Sequence, residues 1–396
     1  MVEAAETNKH ASLDGLRAVA VTLVVLHHLA QFPARSYATG SVGNLLFGFG
    51  RLGVVVFMVL SGFVIWLPIA RAIAAGEPLP SPGKFLVRRL VRIFPAYWIA
   101  LVGLHAFVDD SHLNSTNEAL THAFLLQNFQ HGAVFRGILV GWTLAIEMTF
   151  YLSVGVAIVV MSRISVARRP LAQRILVATM LLAPYAVRWW LLYHTNLDRI
   201  TVGRWWTIAA IPVALPWWTD TFGAGMLLAA LAVRYHSGRR RGAAYGDVAL
   251  LILVAAMLYV ETLGFFGSFD AAGSRTAAFW DMPVRVVGAA GVVLLLVGAQ
   301  APRAVRVLSV PRWCWIGTIS YGIYLWHDGI IREVDRVRAL ESSLVLPVLI
   351  AVGLTVVVAA TSWYLVERPL LDRVRRAQRG AAVTEQPTTI ARPSAR

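Results

Sequence analysis

Ten predominantly apolar runs, each near the length needed to cross a bilayer, constrain this chain more than any other feature. A transmembrane helix takes about 20 residues at roughly 1.5 Å each. The runs lie near residues 16–33, 52–70, 93–109, 138–161, 175–194, 207–233, 246–264, 283–300, 314–331 and 343–366. In lipid, backbone polar groups must be satisfied within the segment, which leaves a run of this kind the α-helix. The expected fold class is all-α: a polytopic integral membrane bundle of about ten transmembrane helices. Only 14% of the 396 residues are charged, against about a quarter in soluble domains. That is too little to cover the surfaces of two or three soluble domains, so a soluble enzyme is excluded. The first run exceeds signal length, carries His27 and His28, and precedes no small-residue cleavage site, so it is expected to stay in the membrane.

The basic residues set an orientation. If residue 1 lies inside, the inner connecting segments carry 25 Lys and Arg and the outer ones 9, which puts both termini in the cytoplasm. The net charge of +15 does not indicate nucleic acid, because the arginines fall in short clusters between apolar runs and form no stripe or tail. Cys314 is the sole cysteine, which excludes an intramolecular disulfide and a multi-cysteine metal site; no metal is expected. Residues 1–11 read as a cytoplasmic segment, 12–371 as the membrane domain, and 372–396 as a disordered basic cytoplasmic tail. The longest outer loop, about 110–137, holds His112, His122 and His131, which read as solvent-exposed loop histidines.

An ionisable residue near the centre of a span costs roughly 2.5–3.5 kcal/mol on insertion scales, so each marks a candidate site. The candidates are Asp14 and Arg17 at the mouth of the first span, His27 and His28 within it, Glu147 in the fourth, and His327 with Asp328 in the ninth. Arg188, Asp220, Glu261 and Arg285 lie nearer span ends. His28 stands about 16 Å beyond Arg17, and Glu147 about 15 Å below the opposite surface. His327 reaches a similar level, so the three are expected to meet near the midplane. A histidine beside a carboxylate suits activation of a hydroxyl; polar bonding between helices is the competing reading.

Lys84 to Pro95 places Arg88, Arg89 and Arg92 just before the third span. Arg89 and Arg92 share a helix face, with Arg88 one turn from Arg92. Convergent guanidinium forks suit a polyphosphate such as coenzyme A. A positive anchor against anionic lipid is the alternative, and both readings stay open at this point.

Taken in order, the short motifs of this chain resemble the membrane-bound acyltransferase-3 family, whose members include bacterial O-acyltransferases of envelope glycans and antibiotics. Ser12-Leu13-Asp14-Gly15-Leu16-Arg17, ten residues and His28 match its opening Arg-x10-His motif. Gly50 to Val54 with Phe57, and Leu60-Ser61-Gly62-Phe63, match its second-span signature. Arg88 to Trp98 contains its Arg-x-x-Arg segment, and Trp142-Thr143-Leu144 with Glu147, Phe150 and Tyr151 follows its Trp-Ser-Leu-x-x-Glu-x-x-Phe-Tyr pattern. Ser320 to His327 and Glu367-Arg368-Pro369 supply the late signatures. Thr143 stands for the commoner Ser, Met58 for a frequent aromatic, His27 for a frequent Tyr, and Asp328 for an apolar residue. With no hydrolase-like stretch after the tenth span, the chain resembles the stand-alone form.

The resemblance implies acyl transfer, acetyl above all, from cytoplasmic acyl-CoA to a hydroxyl of an envelope polysaccharide, glycolipid or glycosylated metabolite, in a bacterial cytoplasmic membrane. The partners implied are acyl-CoA, that acceptor and membrane lipids. On this reading Arg89 and Arg92, assisted by Arg88, hold the CoA phosphates. His28 is the general base or a transient acyl carrier, and Glu147 orients it or relays its proton. Arg17 steers the thioester or stabilises the oxyanion, or pairs structurally with Asp14. Ser320, Tyr321, Tyr324 and His327, with Asp14, are candidates for the substrate path. A proton-coupled transporter is the rival function, although no repeat symmetry or paired broken helices are visible.

Overall fold

The computed structural model describes residues 2–30, 40–108, 113, 115–130, 133–194, 215–234, 243–262, 275–298, 301–337 and 345–384. Among them there is no strand. The helices are α1 (Val2–Ala30), α2 (Gly40–Ala75), α3 (Pro82–Phe107), α4 (Thr116–Ala123), α5 (Gly141–Arg163), α6 (Arg169–His194), α7 (Leu215–Arg234), α8 (Ala243–Thr262), α9 (Arg275–Val297), α10 (Pro302–Leu308), α11 (Pro311–Asp335), α12 (Val345–Ser362) and α13 (Arg368–Thr384). A π-helical turn, Trp363–Glu367, joins the last two.

Each of the ten apolar runs overlaps a helix over the residues that the structure describes. Six segments among the described residues are long and apolar enough to cross a membrane: in α1, α2, α3, α5, α6 and the α12–α13 unit; a bent pair, Met282–Val297 with Pro302–Leu308, makes a seventh if taken as one span. Helix α11 is not among them; it carries His327, Asp328, Arg332, Glu333 and Asp335. Its polar groups are tolerated because much of the helix is buried against α1 and α12. The outward faces are apolar. Leu171, Ile175 and Leu182 on α6, Leu251 and Ile252 on α8, and Leu349 and Val357 on α12 are exposed, as lipid-facing positions require.

Helix α2 is central, packing against α1, α7, α8 and α9. Its contact with α7 is closest at two glycines. A Cβ on Gly62 would lie 2.3 Å from the Phe222 carbonyl oxygen, and one on Gly225 would lie 2.1 Å from that of Val59. Small residues at a crossing let the helix backbones touch, the usual device inside membranes.

Two expectations change. The described residues between 113 and 140 do not form a free loop. They return along α3, where the Tyr97 hydroxyl donates to the His122 carbonyl (2.8 Å) and Trp98 Nε1 to that of Ala123 (2.8 Å). Helix α5 starts beside Tyr97, since a Cβ on Gly141 would stand 3.8 Å from the Tyr97 hydroxyl. Helix α3 continues for ten more residues, about 15 Å. His122 is accordingly buried, its Nε2 facing the carbonyls of Ala133 and Arg136 at 3.1 Å; His112 and His131 lie outside the described residues. The segment expected to be disordered from 372 is helical as far as Thr384. Asp372 sits between Arg368 (4.0 Å) and Arg375 (3.7 Å), spacings that favour a helix, and Gln378 anchors it to α3. Residues 385–396 lie outside the described ones.

Candidate active site

Five helices converge on a cavity of about 140 Å³. Helical spacing explains which side chains reach it. Thr143, Glu147 and Tyr151 recur every four residues along one face of α5, Phe57 and Ser61 do so on α2, and Arg89 and Arg92 are three apart on α3. Helix α11 adds Ser320, Tyr321 and Tyr324, and α1 adds Arg17. Apolar side chains, among them Val54, Met58, Ile65 and Leu144, complete the wall.

Glu147 organises the polar side. Its Oε1 accepts from the Ser61 hydroxyl at 2.9 Å and from the Tyr151 hydroxyl. The Arg89 guanidinium lies 5.5 Å from the ring centres of both Phe85 and Tyr151, and Arg92 lies 5.3 Å from that of Trp363. The buried Nε of Arg89 makes no hydrogen bond among the described residues. Arg17 is held by Asp14 at 2.7 Å. Three guanidinium groups thus line one cavity whose wall includes the Glu147 carboxylate; Arg17 is paired with Asp14, and the charge of the buried Glu367 acts on Arg92.

Arg88 separates from its neighbours. It donates to Gln378 Oε1 (2.8 Å) on α13 and does not line the cavity. Adjacent helical residues point about 100° apart, so docking of α13 beside α3 captures Arg88 and leaves Arg89 facing inward.

The two histidines form a pair beside the cavity. His327 Nε2 and His28 Nδ1 are 3.2 Å apart, and both rings are buried. His28 Nδ1 also faces the Val24 carbonyl (2.9 Å), and His327 Nδ1 faces that of Ile323 (3.0 Å). A carbonyl only accepts, so each Nδ1 carries its proton. The single His28 Nδ1–H is then shared between the Val24 carbonyl and the lone pair of His327 Nε2, and His28 Nε2 keeps the lone pair a base needs. The His327 ring centre is 5.8 Å from that of Tyr324, whose hydroxyl is 2.6 Å from Thr143 Oγ1; this tyrosine links pair and cavity. Asp328 pairs with Arg332 at 2.5 Å, one turn along α11.

Of the three residues expected to meet near the midplane, His28 and His327 are in contact, whereas Glu147 is bonded to Ser61 and Tyr151 and makes no bond to His28. Tyr321 donates to the Ile93 carbonyl (2.8 Å) from the cavity wall, and Ser320 Oγ donates to Gly317 (2.8 Å). Ser61 was missed as a site residue. Its signals were a lone hydroxyl within the apolar run of α2 and its place in the second-span signature. Arg188 and Asp220 pair with each other at 2.7 Å between α6 and α7, away from this cavity.

A polytopic helical bundle around a buried cavity with guanidinium groups, a carboxylate and an adjoining histidine pair has the equipment for group transfer within a membrane. The chain belongs to the acyltransferase-3 family, whose model, described as an acyltransferase domain, matches residues 10–367. It is 26% identical over 375 residues to the peptidoglycan O-acetyltransferase OatA of Listeria monocytogenes, covering 91% of this chain and 55% of that protein. It is 27% identical over 346 residues to the exopolysaccharide production protein ExoZ of Rhizobium meliloti, covering 85% of this chain and 95% of that one. The chain thus spans about half the length of the peptidoglycan O-acetyltransferase it matches. No solved structure matches it.

Proposed function

We propose that this protein is an integral membrane O-acyltransferase that moves an acyl group, acetyl in the first instance, from cytoplasmic acyl-CoA to a hydroxyl of a carbohydrate-containing acceptor. The observation that carries the reading is the cavity in which Arg17, Arg89 and Arg92 converge on an apolar chamber beside the His28–His327 pair. Family membership favours it over a transporter. The relatives' names, a peptidoglycan O-acetyltransferase and an exopolysaccharide production protein, support a glycan acceptor. The excess of basic residues in alternate connecting segments supports ten spans with both termini in the cytoplasm of a bacterium, and hence a cytoplasmic-membrane location.

The donor residues fit a polyphosphate thioester. Arg89 and Arg92 bind its phosphates, Arg89 through a guanidinium whose Nε is unspent. Arg17, held by Asp14, steers the thioester end or stabilises the developing oxyanion. His28 Nε2 removes the acceptor hydroxyl proton as that oxygen attacks the thioester carbonyl. The carbon–sulfur bond breaks, and the CoA thiolate leaves with the proton returned by the imidazolium. His327 stabilises that imidazolium by accepting from His28 Nδ1–H. Glu147 holds the Ser61 and Tyr151 hydroxyls in place and offsets part of the arginine charge.

His28→Ala is expected to lower acetyl transfer from radiolabelled acetyl-CoA to membrane glycans by about 10²–10⁴-fold at unchanged protein abundance. Wild-type transfer by His28→Ala would sink the mechanism.

A further inference from the structure

Glu367 is a buried carboxylate for which the scheme above has no task. It closes the π-helical turn Trp363–Glu367, in which the Arg368 amide donates to the Trp363 carbonyl, and it is 1% exposed. Turns of this kind are rare and concentrate at functional sites. This one packs against α3, and the ring of Trp363, its first residue, lies 5.3 Å from the Arg92 guanidinium. Among the charges that act on Arg92, that of Glu367 is the strongest, ahead of Arg17. Yet the contact is left open. Glu367 Oε1 accepts from the Ser362 hydroxyl at 3.4 Å, Oε2 is buried without a hydrogen bond, and no ion pair joins the carboxylate to Arg92 among the described residues. A buried carboxylate oxygen without a donor is costly. The guanidinium that could satisfy it is turned to the cavity, which Arg92 lines and Glu367 does not. Arg92 therefore has a carboxylate behind it and the donor cavity in front.

From this arrangement we infer that Glu367 is a positioning residue of the donor site: it is the resident counter-charge of Arg92, which it holds while the cavity is empty and against which the donor phosphates compete. A carboxylate so placed lowers the affinity of Arg92 for phosphate, because two anions on either side of one guanidinium repel each other across a medium of low dielectric. Its use lies in turnover. The phosphates of acyl-CoA and of spent CoA are the same, so gripping them harder stabilises donor and product alike without speeding the chemical step. A built-in competitor behind Arg92 limits that grip and lets CoA leave. The inference rests on the acyl-CoA reading and adds to it the group that sets how firmly the donor is held.

The test uses the full-length protein in phosphatidylcholine nanodiscs, with radiolabelled CoA as the probe and pantetheine, which lacks the phosphates, as the control ligand. Glu367→Gln keeps the shape and removes the charge. Its affinity for CoA should rise at least about threefold, and its affinity for pantetheine should not change. In native membranes the same variant should lower the KM for acetyl-CoA without raising kcat. Ser362→Ala, which frees the carboxylate to swing onto Arg92, should weaken CoA binding instead. Unchanged or weaker CoA binding by a folded Glu367→Gln, or an equal gain in pantetheine affinity, overturns the inference and leaves the acyl-transfer reading intact. Should that variant fail to fold, Ser362→Ala decides the matter, and CoA binding as tight as in the wild type or tighter overturns the inference. Failure of the wild type to bind CoA overturns the donor reading and this inference with it.

Discussion

The ion pair between α6 and α7 allows a quantitative test of how this bundle is held together. Arg188 donates to both oxygens of Asp220, at 2.7 and 3.0 Å, and to the Trp217 carbonyl at 2.6 Å. Asp220 also accepts from the Thr221 amide at 3.1 Å, and the two side chains are 0% and 1% exposed. Removing one partner leaves a full charge buried without its counter-charge, which costs about 3–5 kcal/mol. Asp220→Leu and Arg188→Met should each be destabilised by that amount. If the effects were independent, the double variant Arg188→Met/Asp220→Leu would lose about 6–10 kcal/mol. Because both charges then disappear together, it should be more stable than either single variant. Reversible unfolding in mixed detergent, read by tryptophan fluorescence, closes the cycle. Neither residue lines the candidate cavity, so acyl transfer per folded molecule should stay near wild type. A double variant as unstable as the sum of the singles, or single losses under about 1 kcal/mol, would refute the account.

Three further outcomes follow from the packing and the cavity. Gly225→Ala sets a Cβ 2.1 Å from the Val59 carbonyl and should cost about 1–3 kcal/mol or more in the same assay, with activity falling as α2 shifts Ser61; Gly353→Ala, whose Cβ meets nothing within 4 Å, should be silent. Arg89→Ala should weaken acetyl-CoA binding in detergent by about tenfold or more, whereas Arg88→Ala, which loses only its bond to Gln378, should change it by less than about threefold; equal effects would return both to a lipid-anchor role. Thr143→Ser should retain the 2.6 Å contact with Tyr324 and wild-type stability, while Thr143→Val should cost about 1 kcal/mol and lower activity.

Much of the site was visible in one dimension because it depends on helical periodicity. Residues three and four apart share a face, so Arg89 with Arg92 and Thr143 with Glu147 and Tyr151 could be grouped before any helix was placed. Charge inside an apolar run is equally local, which is why His28, Glu147 and His327 stood out. Depth was less accessible. Rise per residue locates a side chain along its own helix, but Glu147 was assigned its level by assuming that α5 begins at the membrane surface. The return of the described residues between 113 and 140 along α3 removes that assumption, because α5 begins beside Tyr97.

What the sequence determined by itself was the helical, membrane-spanning character of the chain and the identity of its intramembrane polar residues, since apolar run length and the cost of charge in lipid are local properties. Partnership was decided only in three dimensions. Glu147 lies with Ser61 and Tyr151, and His28 with His327. Arg88 is claimed by Gln378, which lies 290 residues away along the chain. Such pairings depend on the azimuth of each helix and on where glycines let backbones touch. Those quantities emerge from packing all the helices at once, and no single segment encodes them.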